Sequence, residues 1–375
     1  MTYYFDNAAT TPICSEALNV LCNMNYMYGN PSAHYSLGRQ AKKKIEEARE
    51  TIAECIGADS RFDIIFTSGG TESDNMVVQR YMKNKMTIFH SPFEHPAVLK
   101  SMENYPTHGA IDHRDGCQMS TLKSIYSQKK APSRKETRAM TYMLANNETG
   151  IISPVKKIAD TVPCHFVHTD AVQAIGHITV NVKDLGADLL SASAHKFNGP
   201  KGVGFLYAKD SYFPNAIIRG GGQERGYRSG TENTIAILAM AEALKYNCSH
   251  MEEHYGKVKT MRDYIENTLL NAIPDVTING DGEDRLPGHS NITIKHVDGG
   301  TLQALLDTNG ICISTGSACH SESMDPSHVL KAMGLTDDEA YCTIRISVGP
   351  QNTMQECEYL CTKIIESVDY LRSKI

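Results

Sequence analysis

Hydrophobic and polar positions follow two alternating periods between about residues 60 and 210. Short runs rich in β-branched residues are each followed by a longer segment with helical spacing of apolar positions. The pairs are FDIIFTS with TESDNMVVQRYMKN, TIFHS with HPAVLKSMENY, and AMTYMLAN with SPVKKIADTV, after which CHFVHTDAV and ADLLSASAHK continue the pattern. This alternation predicts an α/β protein with a mostly parallel sheet flanked by helices on both faces.

The flanking regions are predicted to complete the large domain and to form a smaller one. Residues 34–56 have the pattern of a long amphipathic helix, and a second helical pattern over about 234–273 contains the expected domain boundary. Toward the C-terminus we expect strands at HSNITIKH, GICIST and TIRISV, a helix at DPSHVLKAMG and a final helix from about residue 353. The predicted domains are a large one, 13–255, and a small α/β one formed by 1–12 and 256–375.

Composition narrows the class of protein. The chain of 375 residues is 41% hydrophobic and 21% charged, which is ordinary for a soluble globular enzyme. Its net charge of -6 does not favour direct binding of nucleic acid. Eleven cysteines without a C-x-x-C pair fit neither a disulfide framework nor a zinc site, and no apolar run approaches the ~18 residues of a membrane span. We therefore expect an unprocessed cytoplasmic protein with no metal site and no membrane partner.

The segment IIFTSGGTESDN is typical of a strand, a tight glycine turn and the start of a helix. Backbone amides at a helix N-terminus that is reached through Gly69 and Gly70 form a cradle for phosphate. The segment is not a P-loop, because no G-K-[ST] follows. Taken alone, such a turn is more often purely structural.

Two later strands end in candidate catalytic residues. Asp170, in HTDAVQ, is expected at a strand end, where its carboxylate could balance a positively charged ring nitrogen or cap the next helix. Ser193, His195 and Lys196 end the following strand, and a lysine at this edge of a sheet suits Schiff-base chemistry. Lys201, in a Pro-Gly turn, is expected to be structural. The phosphate cradle at Gly69 and Gly70, the acid Asp170 and the lysine Lys196 together indicate a site for pyridoxal phosphate.

Long motifs extend the pattern over nearly the whole chain. They are YFDNAATTP, GNPSAHYSLGRQA, FTSGGTESDN, EHPAV, NNETG, HTDAVQ, SAHKFNGPKGVGFLY, GGGQERGYRSGTEN, STGSACHSESMDPSHVLKAMG and TIRISVG. In these motifs and their order the chain resembles the NifS- and IscS-like cysteine desulfurases of the class V aminotransferase family. The resemblance implies the fold type I architecture of pyridoxal-phosphate enzymes and a homodimer.

The resemblance also implies roles for single residues. Lys196 matches the lysine that holds pyridoxal 5'-phosphate covalently, Asp170 the acid that faces the pyridine nitrogen, and Gln173 the amide near the phenolic oxygen. His95 matches a histidine stacked on the ring, although the residues alone favour a helix cap at this position. The implied phosphate contacts are Gly70, Thr71, Ser193, His195 and, across the dimer, Thr231. Asn147 is implied to lie near cofactor and substrate, and Arg345 to bind the substrate carboxylate.

Cys319 lies in STGSACHSES, a run of small polar residues. A cysteine in such a loop is by itself more often inert than reactive. The resemblance implies instead that its thiolate attacks the sulfur of L-cysteine, which leaves L-alanine and a persulfide on Cys319. A mobile loop would then carry this sulfur to an acceptor protein, such as an iron–sulfur scaffold or a tRNA-thiolation enzyme.

The sequence departs from the common pattern of the family at two positions, and several alternative functions remain open. The family commonly has alanine at Gly70, and Pro350 follows ISVG where a polar residue is common. A selenocysteine lyase or another class V pyridoxal-phosphate enzyme, such as a transaminase, would share the fold, but a transaminase does not need Cys319. A non-catalytic regulatory homologue has no reason to retain Lys196.

Overall fold

A computed structural model gives the structure of this chain. It describes residues 2–24, 26–103, 105, 137–162, 164–210, 212, 214–315 and 325–374. The chain divides into two compact units. The larger unit comprises Pro12–Leu144 and Ser153–Met251, and the smaller unit comprises Met1–Thr11, Ala145–Ile152 and Glu252–Ile375.

The regular elements follow the predicted alternation. The strands are β1 (Tyr3–Tyr4), β2 (Ile64–Thr67), β3 (Thr87–His90), β4 (Arg138–Thr141), β5 (Phe166–Asp170), β6 (Leu189–Ser193), β7 (Gly204–Ala208), β8 (Val276–Ile278), β9 (His289–Ile294), β10 (Ile311–Cys312), β11 (Ser314–Thr315) and β12 (Thr343–Ser347). The helices are α1 (Ser15–Asn23), α2 (Ser36–Cys55), α3 (Gly70–Lys83), α4 (Pro96–Leu99), α5 (Val155–Thr161), α6 (Val182–Leu185), α7 (Thr234–Ser249), α8 (Met251–Ala272), α9 (Gly299–Asp307), α10 (His328–Ala332), α11 (Asp337–Tyr341) and α12 (Met354–Arg372). Short 3-10 turns cover Arg61–Asp63, Lys100–Met102, Ala194–Lys196 and Glu224–Gly226.

The larger unit contains a six-stranded sheet with the order β2-β7-β6-β5-β4-β3. Strands β3, β4, β5 and β6 pair in parallel, whereas β7 is antiparallel to both of its neighbours. The prediction of a mostly parallel α/β sheet is therefore confirmed. In such a sheet the carboxyl ends of neighbouring parallel strands meet at one edge, where ligands commonly bind.

Helix α3 is fixed to this sheet by apolar packing. Met76, Val77 and Tyr81 of α3 are fully buried in a cluster with Ile65 of β2 and Leu206 of β7. Burying a large apolar side chain stabilises a fold by roughly 1.5–3 kcal/mol, so several such contacts hold the helix firmly. The packing places the first turn of α3 directly after the carboxyl end of β2.

The smaller unit has its own sheet and core. Strands β11, β12, β9 and β8 form an antiparallel sheet, and β1 pairs in parallel with β10. Its core contains fully buried side chains from the N-terminal segment, the sheet and the long helices, among them Phe5, Ile265, Ile344 and Leu360. Among the described residues, no helix combines the length and apolar character required to cross a bilayer.

The segment Ala145–Ile152 belongs to the smaller unit although the predicted bounds 13–255 place it in the large domain. The Ile152 N–H donates to the Asp284 carbonyl at 2.7 Å, and the Leu286 N–H donates to the Gly150 carbonyl at 2.8 Å. These backbone bonds join the segment to residues far away in sequence. Local periodicity carries no information about such pairing, which explains why the two divisions differ here.

Candidate active site

Asp170 and Lys196 lie at the ends of two neighbouring strands of the larger unit. Asp170 is the last residue of β5 and is 3% exposed, while Lys196 closes the 3-10 turn that follows β6. Asp170 pairs in register with Ser191 on β6. The His177 Nε2–H donates to the Lys196 carbonyl at 2.7 Å, which fixes the backbone of the lysine. The two residues that the sequence singled out are thus held by rigid elements.

Burial and local contacts have opposite effects on the pKa of Asp170. Burial raises its pKa to about 6, while the Val172 N–H, which donates to Oδ1 at 2.9 Å, and the positive charge of Lys196 act to lower it. Asp170 therefore makes the turn contact that the sequence allowed and also lies near the Lys196 ammonium. At neutral pH its carboxylate is available to balance a positive group.

A buried polar chain lies beside Asp170. The imidazole of His168, on the same face of β5 two residues earlier, hydrogen-bonds Thr141 Oγ1 at 2.8 Å and Ser191 Oγ at 3.0 Å. Burial lowers the pKa of His168 to about 3, so the ring is neutral. Asp74 Oδ1 lies 3.6 Å from His168 Nε2, and burial together with the charge of Asp170 holds the pKa of Asp74 well above its usual value.

Glu94 adds a second carboxyl group whose neutral form is favoured by burial. Its side chain is fully buried, and Oε1 accepts a hydrogen bond from the Met143 N–H at 2.8 Å. Burial, with a contribution from the charge of Asp170, raises the pKa of Glu94 to about 8. Sequence reasoning missed Glu94, Asp74 and His168. The available signal was their position beside predicted residues, Glu94 in FEHPAV, His168 in HTDAVQ and Asp74 in FTSGGTESDN.

His95 caps the short helix α4. The Ala97 N–H donates to His95 Nδ1 at 3.1 Å, and Pro96 occupies the first helical position, where a missing N–H has no cost. Because Nδ1 accepts this bond, the neutral ring has its proton on Nε2. The capping role that the sequence allowed is present, and it fixes the tautomer and direction of the ring.

The glycine turn before α3 forms a close backbone cradle. Gly69 has φ +151°, a conformation that favours glycine, and a Cβ there would lie 3.3 Å from Ser193 Oγ. Gly204 pairs with Ser193, and a Cβ at Gly204 would meet the Ala192 carbonyl oxygen at 2.4 Å. The first amides of an α-helix have no intrahelical acceptor, so the start of α3 at Gly70 and Thr71 suits an anion.

Two buried or partly buried ion pairs hold the segment that contains Thr231. Arg49 binds both carboxylate oxygens of Glu224, at 2.7 and 2.8 Å, and Arg228 Nε donates to Glu72 Oε1 at 2.9 Å. Burial acts to raise the pKa of Glu72, but hydrogen bonds from Arg228 and the Ser68 N–H outweigh it and lower the pKa. Thr231 itself is exposed.

His195 and Gln173 complete the predicted cofactor residues of the larger unit. Burial, with the charges of Lys196 and Lys201, lowers the pKa of His195 to about 4, so this ring is neutral at pH 7. Gln173 is 4% exposed and follows Asp170 on the same connection. Neutral donors of this kind can bind phosphate oxygens or a phenolic oxygen without adding charge.

The smaller unit brings Arg345 and Asn147 together. Arg345, on β12, is 3% exposed; its Nη1 donates to the Asn147 carbonyl at 3.0 Å and its Nη2 to Asp6 Oδ1 at 2.7 Å. Glu148 is also buried, and burial raises its pKa to about 7, while the Ser327 hydroxyl, which donates at 2.5 Å, and the charge of Arg345 act to lower it. An isolated arginine on a strand is usually solvent-facing, so only the structure shows this buried cluster.

The residues of the larger unit fit pyridoxal phosphate. The cradle between Gly69 and Ser193 suits a phosphate group, and Asp170 near Lys196 supplies an acid for a ring nitrogen next to an amine that can form an imine. Cys319 lies outside the described residues. Within the parts of the chain that the structure describes, three or more His, Cys, Asp or Glu side chains do not gather as a metal site would require.

Comparison with protein families gives one match over most of the chain. The model of the class-V aminotransferase family matches residues 3–360. A cysteine desulfurase IscS from Dictyoglomus turgidum is 39% identical over 384 aligned residues, which cover 99% of this chain and 95% of the relative. The chain therefore belongs to this family, and its similarity to this relative covers nearly the whole of both sequences.

Solved structures of similar fold carry related descriptions. The NifS-like protein from Rickettsia africae superposes with a TM-score of 0.89 and is 30% identical, with 98% of this chain and 100% of that chain covered. A structure described as SspA in complex with cysteine has a TM-score of 0.76 and 28% identity, with 94% and 100% covered. These matches agree with the fold type that the motifs indicate.

Proposed function

We propose that this chain, which belongs to the class-V aminotransferase family, is a cysteine desulfurase that converts L-cysteine to L-alanine and transfers the sulfur to Cys319. The observation that carries the proposal is the buried Asp170 beside Lys196 at the ends of β5 and β6. Curated relatives of nearly equal length are cysteine desulfurases, which favours this activity over selenocysteine lysis or transamination.

Pyridoxal phosphate is the proposed cofactor. Lys196 would bind it covalently, Asp170 would balance its ring nitrogen, and Gln173 and His95 would contact the ring. Gly70, Thr71, Ser193 and His195, with Thr231 of a partner chain, would bind its phosphate. When bound, the cofactor supplies a ring that accepts the electrons left by removal of a substrate proton.

The protein side chains then bind the substrate and move protons. Arg345 would bind the carboxylate of L-cysteine, with Asn147 close to it, and a guanidinium with its Nε and Nη groups suits a bidentate contact. The Lys196 amine would take the α-proton, and the half-buried turn after β6, whose Lys196 carbonyl is held by His177, fixes the backbone of this lysine. The Nε2–H of His95 is a candidate proton donor to the substrate.

Sulfur transfer balances without an external oxidant. The Cys319 thiolate attacks the substrate sulfur, an S–S bond forms, and the substrate Cβ–S bond breaks. The electron pair of that bond stays with the substrate, whose Cβ takes up a proton to give L-alanine. The sulfur remains on Cys319 as a persulfide, from which a thiol of an acceptor protein can remove it.

The finer features of this function are also proposals. They comprise a homodimer, a cytoplasmic location, and an acceptor that is an iron–sulfur scaffold protein or a tRNA-thiolation enzyme. Trapping of the Cys319 persulfide, followed by identification of the proteins that remove its sulfur, would distinguish the two kinds of acceptor.

Replacement of Cys319 tests the assignment. Cys319→Ala should retain pyridoxal phosphate and its visible absorbance, but release of sulfide from L-cysteine with a thiol reductant should fall by more than about 100-fold, because the attacking sulfur is gone. Cys22→Ser, which changes an exposed cysteine of α1, is the matched control and should desulfurate normally. A Cys319→Ala enzyme with wild-type turnover would overturn the nucleophile, and a wild-type protein that never takes up the cofactor would overturn the activity.

A further inference from the structure

Two cysteines of the larger unit meet outside the candidate active site. Cys55 is the last residue of α2, and Cys248 lies in the last turn of α7. Both side chains are half-buried and line the same cavity, and each thiol shifts the pKa of the other. The sequence gives no signal for this pairing, because the two residues belong to separate helices and to no C-x-x-C motif.

The two thiols line a cavity of about 110 Å³. Apolar side chains of Ile56, Ile175 and Leu244 form part of its wall, and Gly176 and Met251 also contribute. The cavity gives a small reactant a place beside both sulfur atoms. A half-buried pair with an adjoining cavity differs from the exposed Cys22 and from the buried Cys357 and Cys361 of α12.

The interaction between the two thiols makes them unequal. It lowers the pKa of Cys248, against the effect of burial, and raises the pKa of Cys55, which burial raises further. The direction of these shifts favours Cys248 as the thiolate of the pair and Cys55 as its neighbouring thiol. A thiolate next to a second thiol has the two parts that disulfide exchange requires, an attacking sulfur and a resolving sulfur.

The pair lies next to the residues that hold the backbone of Lys196. Asn247, adjacent to Cys248, is 2% exposed, and its Nδ2 donates to the Phe197 carbonyl at 2.9 Å. On the other wall, a Cβ at Gly176 would come within 2.6 Å of Phe197 Cβ, and His177 donates to the Lys196 carbonyl. A displacement of the end of α7 would thus reach the Lys196 turn through direct contacts.

We propose that Cys55 and Cys248 form a reversible dithiol–disulfide site that responds to low-molecular-weight disulfides and alters cofactor binding through Asn247 and the Lys196 turn. The Cys248 thiolate attacks one sulfur of the small disulfide, and the first small thiol leaves. Cys55, as a thiolate, then attacks Cys248 Sγ and expels the second small thiol. Two protein thiols are oxidised, one small disulfide is reduced, and the two thiol protons end on the released thiols.

Peptide mapping tests the bond. After incubation of the holoenzyme with cystamine, a short aliphatic disulfide, and alkylation of remaining thiols, we expect a Cys55–Cys248 cross-linked peptide and a single-chain band on non-reducing gels. Cys55→Ser should instead accumulate a mixed disulfide on Cys248, because the resolving thiol is absent, whereas Cys248→Ser should leave Cys55 unmodified. Cys22→Ser is the control and should form the cross-link like the wild type. A wild-type protein without the cross-link, or with a cross-link between chains, would overturn the site.

Cofactor affinity tests the connection to Lys196. The dissociation constant for pyridoxal phosphate should differ by about fivefold or more between the oxidised and the reduced wild type, and a reductant should reverse the change. A fivefold effect is at the lower end of typical couplings between two sites. Cys55→Ser should show no such change. If the cross-link forms and the affinity stays the same, the route through Asn247 is wrong. Cys319→Ala should behave like the wild type in both assays, so these outcomes are independent of the sulfur-transfer proposal.

Discussion

Two buried polar regions of the molecule control charge in opposite ways. In the larger unit, Asp74, Glu94 and His168 surround Asp170, and burial favours the neutral form of each of the three. In the smaller unit, Arg345 is buried as a cation and is paired with Asp6. We call the first set the Asp170 cluster and the second, with Asn147 and Glu148, the Arg345 cluster.

The difference concerns what each region is suited to bind. Neutral neighbours leave Asp170 as the acid whose charge is balanced by Lys196, so a positive ring nitrogen would meet one negative partner rather than several. A permanently charged guanidinium with fixed partners is suited to an anion such as a carboxylate. The stability contributed by residues with raised or lowered pKa values depends on pH. The stability contributed by a paired arginine depends mainly on whether its partner is present.

The largest expected effect comes from Lys196, whose positive charge acts on Asp170. Lys196→Ala should lose the visible absorbance of a lysine-bound pyridoxal group, and desulfuration should fall by at least about 10³-fold, because both the imine and the proton-accepting amine are removed. Absorbance spectra and sulfide release measure the two losses. Lys201→Ala, a change in the exposed turn five residues later, is the matched control and should keep both. Equal losses in the two variants would show that charge, rather than the position of Lys196, is required.

A smaller effect is expected from breaking the Arg345 cluster. Arg345→Met removes the donor to the Asn147 carbonyl and leaves Asp6 without its cation, so the free energy of unfolding should fall by about 3 kcal/mol at pH 7. Urea denaturation measures the change. Asp6→Asn in the same background should recover part of the loss, because the unpaired charge is then removed as well. No loss in Arg345→Met would contradict the view that paired charge holds this region.

The smallest effect is expected when Glu94 of the Asp170 cluster is replaced by a side chain that does not titrate. The pKa of Glu94 is raised from 4.5 to about 8, so between these values the unfolded chain releases a proton that the folded chain keeps, and stability falls as pH rises. Glu94→Gln keeps the shape and the acceptor for the Met143 N–H but does not titrate. Its stability relative to wild type should rise by about 2 kcal/mol from pH 6.5 to pH 8.

Denaturant unfolding of both proteins across this range measures the Glu94 prediction. The range begins at the ordinary pKa of His168, 6.5, and the neutral burial of this ring destabilises the fold mainly toward more acid pH. Other groups titrate in both proteins and cancel in the difference. A difference that stays constant from pH 6.5 to pH 8 would mean that Glu94 is already ionised in the folded chain.

Much of the fold and of the larger unit's site could be predicted from local patterns. The predicted strand at CHFVHTDAV is β5, the one at ADLLSASAHK is β6, and both place their candidate residues at or just beyond the strand end. The predicted helix at residues 34–56 is α2, Ser36–Cys55. These predictions succeeded because alternation, helical spacing and glycine turns act over a few residues, which the sequence shows directly.

The sequence did not reveal which distant side chains are buried together. Arg345 and Asn147 are 198 residues apart, and their hydrogen bond exists because the segment Ala145–Ile152 packs within the smaller unit. Glu94 looked like an ordinary charged residue beside His95 until its burial was known. A pKa depends on the dielectric surroundings and on nearby charges, which are properties of the folded chain.

The sequence by itself determined the α/β fold, the order of its elements, and the placement of Asp170 and Lys196 at the edge of the sheet. The tertiary structure alone decided that burial favours the neutral forms of Asp74, Glu94 and His168, that Arg345 is a buried ion-pair partner, and that Cys55 lies beside Cys248. The physical reason is range: backbone preferences and side-chain periodicity are local, whereas burial and pairing are fixed only when distant segments pack.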